Sequence, residues 1–98
     1  MNDESFALPP FKPDEALQKL KRELRELGLA ERAGTFERRA VAIAKVSIAD
    51  GAIDAAVVKR PSRSSPEWQR KTLGSAADAR DFVADLKKKL AGWSDRDD

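Results

Sequence analysis

The chain contains no cysteine, no histidine and no tyrosine. Without cysteine there is no disulfide framework, no thiolate nucleophile and no thiolate site for zinc or an iron–sulfur cluster. Without histidine the commonest general base and the commonest transition-metal ligand are both missing. Catalysis would have to rest on Ser, Thr, Lys, Arg and carboxylates. There is no G-x-S-x-G, no phosphate-cradling glycine-rich loop and no Asp/Asn-rich calcium loop. The expectation is a protein that is not an enzyme and holds no cofactor and no metal. No run approaches the roughly 20 consecutive apolar residues of a membrane span. Met1-Asn2-Asp3-Glu4 is acidic where a secretory signal is basic. A cytoplasmic location with no membrane partner is therefore expected.

What is present fits one small domain. The 98 residues suffice for a single modest core. Hydrophobic residues make up 41% and charged residues 37%, the balance of a soluble domain with a heavily charged surface. The formal charge of +2 is unevenly spread. Setting aside Asp3 and Glu4 at one end, and the net −2 of Asp95, Arg96, Asp97 and Asp98 at the other, leaves +6 on residues 5–93.

The stretch Phe36–Arg60 organises the rest. Two Val- and Ile-rich runs flank Asp50-Gly51, a dipeptide suited to a two-residue hairpin turn in which both central residues need φ > 0. That turn sets Ala49 opposite Ala52, and each further pair follows. One face then pairs Ile48 with Ile53, Val46 with Ala55, Ala44 with Val57 and Ala42 with Lys59. The other pairs Ser47 with Asp54, Lys45 with Ala56, Ile43 with Val58 and Val41 with Arg60. The first face is apolar almost throughout, and a one-residue slip would exchange the two. On a helix the same apolar residues would spread round the circumference, and β-branching favours strands.

Either side of the hairpin, helices are expected. Leu17, Leu20, Leu24 and Leu27 recur at three- and four-residue spacing, with Asp14 as cap or first-turn residue, Pro13 at the boundary and Gly28 as the stop. Residues 29–35 are a connection. Ser65-Pro66-Glu67-Trp68 is a helix-start signature, which predicts a short helix closed at Leu73-Gly74. Ser75 to Asp78 approximates a capping box. Ala79, Phe82, Val83, Leu86 and Leu90 follow as one apolar stripe, and Lys87–Lys89 complement the dipole of a helix ended by Gly92. The predicted fold is α+β, in the order α-β-β-(short helix)-α, with an antiparallel hairpin packed against two amphipathic helices. Residues 1–13 form a Pro-containing N-terminal segment, 14–93 the domain, and 94–98 a disordered acidic tail. This order resembles the helix–three strands–helix of a double-stranded-RNA-binding domain over roughly residues 14–91. That family begins its last helix with lysines, and here the positions read Ser75-Ala76-Ala77-Asp78-Ala79-Arg80-Asp81. Its function is not carried over, and no family is assigned.

Two surfaces are candidates for function. Lys59, Arg60, Arg63, Arg70 and Lys71, with Lys45 on the mixed hairpin face, form an electrostatic footprint for phosphate, and Trp68 could stack on a base. Arg39 belongs beside them. Ser62, Ser64 and Ser65 are read as polar loop residues. The second surface is Val41, Ile43, Ala56 and Val58, an apolar strip that needs a third strand, the Phe6–Phe11 segment or a second copy to cover it. The leading expectation is a non-enzymatic binding or adaptor module for an unidentified protein partner, or a homodimer joined through its hairpin. The alternative is a nucleic-acid accessory protein gripping phosphates through residues 59–71.

Overall fold

Asp50 and Gly51 take φ of 54° and 75°, as a two-residue turn of this kind requires. The computed structural model of the protein describes residues 11–95. Around that turn, β3 (Val41–Ala49) and β4 (Ala52–Val58) pair in the predicted register from Ala49–Ala52 to Ala44–Val57. The hairpin is the middle of a larger sheet. Before it lie β1 (Ala30–Arg32) and β2 (Thr35–Arg38), and after it β5 (Trp68–Leu73). The five strands form one antiparallel meander in sequence order. Helices α1 (Pro13–Glu26) and α2 (Ala76–Asp95) stand at the two ends of the chain order.

Three parts of the predicted order are corrected. The connection at 29–35 contains β1 and leads into β2, which takes the outer edge of β3. The short helix at 65–73 is instead the edge strand β5. Strand β4 explains that change, because Ile53, Ala55, Ala56, Val57 and Val58 are all buried and both its backbone edges need partners. The pairing available to Trp68–Leu73 outweighs the helix-start signal of Ser65-Pro66-Glu67. Helix α2 also runs through Gly92 to Asp95, which keeps the half-buried Trp93 packed against the core one turn beyond Leu90. Lys87–Lys89 are therefore mid-helix, so their predicted complement to the C-terminal dipole lapses. Residues 96–98 of the predicted tail and 1–10 of the N-terminal segment lie outside the described residues.

Register fixes what each face carries. Reading across the strands, Glu31, Phe36, Ala44, Val57 and Gln69 form one row. Both helices cover that face. Glu31 binds Lys21 at 3.0 Å and Arg25 at 3.1 Å on α1, and Val57 and Gln69 line a cleft with Phe82 and Leu86 of α2. Leu17, Leu20 and Leu24 of α1 join the same core as Phe82, Leu86 and Leu90 of α2. The first half of the capping box forms, with Ser75 Oγ accepting from Asp78 N at 3.1 Å, while Asp78 Oδ2 accepts from Gly74 N, one residue before the cap, at 3.0 Å.

Three successive turns, Ala33-Gly34, Arg39-Ala40 and Asp50-Gly51, are two-residue loops with both residues at positive φ. Only Arg39-Ala40 has neither glycine, asparagine nor aspartate to ease it, at φ of 55° and 66°. A Cβ in the left-handed region costs on the order of 1 kcal/mol. Ala40→Gly is accordingly expected to raise stability by about 1 kcal/mol, seen as a melting temperature higher by several degrees. An unchanged or lower value would contradict the left-handed turn.

Candidate functional site

The opposite face of the sheet is covered by neither helix. Its central row is Arg32, Thr35, Lys45, Ala56 and Arg70. Arg32 pairs with Glu37 at 3.2 Å, and Arg70 with Asp54 at 2.8 Å. Both arginine side chains are about three-quarters exposed, 76% and 74%, so these bonds hold the guanidinium groups out over the sheet and add little stability.

Trp68 opens β5 on this face, opposite Val58. Lys45 stands opposite Ala56, one alternation along β4, and crosses that strand diagonally to set Nζ 4.2 Å from the Trp68 ring centroid. A methyl at position 56 leaves the diagonal open. Under this cover Val58 is fully buried and Ala56 is 8% exposed. Thus Lys45 and Trp68, 23 positions apart in sequence, are brought into contact.

The loop after β4 begins beside them. Lys59 N donates to Glu67 O at 2.9 Å, closing the base of the loop, and Ser65 N donates to Ser62 Oγ at 3.1 Å within it. Lys59, Arg60 and Arg63 are exposed. In an antiparallel meander the β2–β3 turn and the β4–β5 loop leave the same end of the sheet, and Arg39, in that turn, is exposed as well. Lys71 does not belong to this group. It alternates with Arg70 on β5, pairs with Ala55 and lines the α2 cleft with Asp85 and Lys89.

The apolar strip is placed differently from its prediction. Between Phe36 and Glu37 the β2–β3 register shifts, leaving Ile43 as an extra residue with no partner on β2. The bulge re-aims the strand. Ile43 becomes a core residue at 1% exposure, and Val41 faces Arg38, whose Nη1 donates to Leu90 O on α2 at 3.4 Å. The predicted pairs Ile43–Val58, Ala42–Lys59 and Val41–Arg60 are not made. Val41, Ile43, Ala56 and Val58 therefore form no free strip, and both hairpin edges are occupied by β2 and β5. The outer edge of β5 carries Arg70 and Lys71 at its centre. Any antiparallel self-pairing about that centre sets these cations against their own copies, which disfavours it.

A groove of about 580 Å³ runs between the starts of α1 and α2, with Phe11, Ala16, Leu20 and Ala79 along it. The charges on its rim, Lys12, Glu15, Lys19 and Arg80, are exposed. Among the described residues no group of three or more His, Cys, Asp or Glu could hold a metal ion. No helix among them is long and apolar enough to cross a membrane. Compared with family models, curated proteins and solved structures, the chain matches none.

Proposed function

We propose that the protein is a small non-enzymatic binding module whose ligand is the phosphate backbone of a nucleic acid. One observation supports this reading most. Two connections far apart in sequence leave the same end of the sheet, one carrying Arg39 and the other Lys59, Arg60 and Arg63, at the margin of a face that neither helix covers and that presents Lys45 and Arg70. Clustered cations on one side of a fold attract phosphates and release their counterions. The strained Arg39-Ala40 turn fits the same reading, since backbone strain collects where a side chain must be presented. A protein adaptor working through its hairpin is less well supported, because both hairpin edges are paired within the chain and the proposed strip is largely buried.

The test is the anisotropy of a labelled single-stranded oligonucleotide across salt. Six cations in contact give a slope of log K against log salt of about −4, at about −0.7 for each phosphate neutralised on a single strand. Replacing Arg60, Arg63 and Arg70 together by Gln is expected to lower that slope by about 2. Lys71→Gln, on the helix-covered face, is expected to leave it unchanged. Absence of binding at low salt would remove the nucleic-acid reading. Equal binding of polyglutamate would replace it with an acidic protein ligand.

A further inference from the structure

We infer that Trp68 is a stacking platform for one base, and that the nucleic acid is therefore bound as a single strand. The inference rests on the phosphate reading above and adds a different observation, the surroundings of the indole. Trp68 is half-buried, with the fully buried Val58 opposite it in the ladder. Both helices lie on the other face of the sheet, and the ring carries the Nζ of Lys45 4.2 Å from its centroid. Part of the indole packs against the core, as an anchoring tryptophan does. Its ring also meets an ammonium on a flexible four-carbon stem, with Arg70 two residues along the same face and Lys59 at the adjoining loop base.

Magnitudes decide what such a ring does when a strand arrives. An exposed cation over an aromatic ring is worth roughly twofold to fivefold in an equilibrium constant. A base stacked on an aromatic side chain is worth roughly fivefold to 150-fold. A base therefore displaces Lys45 from the ring, and the ammonium gains a phosphate in exchange. Ala56 permits both arrangements. Its methyl lets the Lys45 stem lie across β4, where a larger side chain would stand between the two partners. Bases in a duplex present edges and not faces, so a duplex can engage only the cations.

Trp93 is the other indole in the chain, and Trp93→Phe leaves Trp68 as the only tryptophan fluorophore. That protein is titrated with a single-stranded oligonucleotide and with a duplex of the same sequence at one salt concentration. The single strand is expected to quench Trp68 and to bind at least fivefold more tightly, while the duplex leaves the emission unchanged. In the otherwise unchanged protein, Trp68→Leu is expected to weaken single-strand binding roughly fivefold to 150-fold. It should leave duplex affinity and the salt slope where they were, and Trp68→Phe should retain most of the affinity. Salt-dependent binding of both forms without quenching would overturn the stacking inference and leave the phosphate reading intact. Failure of both forms to bind at low salt would overturn both readings. Because quenching is read with Trp68 in place, the result does not depend on Trp68→Leu remaining folded.

Discussion

Phe36→Ala is expected to cost about 3–5 kcal/mol, a large part of the roughly 5–15 kcal/mol that holds a domain of this size together. Phe36 heads the fully buried side chains ranked by volume. It sits on the short strand β2, directly opposite Ala44, in the row that runs from Glu31 to Gln69 across the sheet. Two alanines of the core, Ala44 and Ala55, already reduce the volume that β3 and β4 contribute. Small neighbours cannot swing into a vacated ring's space, so the cavity persists and the upper part of the range applies. Urea unfolding is the measurement. The midpoint should fall while the dependence on urea stays the same, since the surface exposed on unfolding is little altered. A loss below about 1 kcal/mol, the scale of a tolerated substitution, would mean that β2 does not close the core. Phe36→Leu should lose less.

That prediction concerns a residue whose strand was not legible in the sequence, and the reason is physical. Strand β2 is four residues long with a single apolar side chain set among Thr35, Glu37 and Arg38. Strand β1 is Ala-Glu-Arg and exposed throughout. Neither offers a period to read, and the Arg39-Ala40 turn contains none of the residues that announce a positive φ. The Asp50-Gly51 turn does announce itself, and with it six pairs of the β3–β4 register could be derived. The leucines of α1 and the Ser75–Asp78 cap were legible for the same reason, a local rule sufficient to fix local geometry. Strand β5 is the opposite case. Its own signals point to a helix, and a partner's need for hydrogen bonds overrides them. A clue lay in β4, whose second half is apolar on both faces and so reads as a strand inside a sheet, not at its edge.

The candidate surface divides along the same line. Alternation along a strand could have separated Arg70 from Lys71 had the strand been recognised, since adjacent residues face opposite ways. The contact between Lys45 and Trp68 needed the neighbouring strand as well. It depends on β5 lying beside β4 in one register, which places the ring within reach of a lysine two strands away. The cationic grouping could be sensed from composition, but its two-sidedness could not.

The sharpest consequence of the bulge is Ile43→Lys. On an uninterrupted hairpin this substitution would alter only a surface strip, and it would serve as a mild probe of self-association. With Ile43 at 1% exposure inside the core, it buries an ammonium with no partner and removes a branched apolar side chain. Together these are expected to cost on the order of 4–5 kcal/mol or more, enough to leave much of the population unfolded given the stability usual for such a domain. Circular dichroism melting should show a broad, low transition, and amide proton shifts should collapse toward the unfolded range. Ile48→Lys is the companion measurement. Ile48 lies on the same strand, five residues on, and is 40% exposed, so its replacement is expected to change stability by no more than about 0.5 kcal/mol. The contrast between the two isolates the bulge, because strand, residue type and substitution are held constant. Equal tolerance at both positions would place Ile43 on the surface after all, and with it the unbroken alternation that the register shift at Phe36–Glu37 denies.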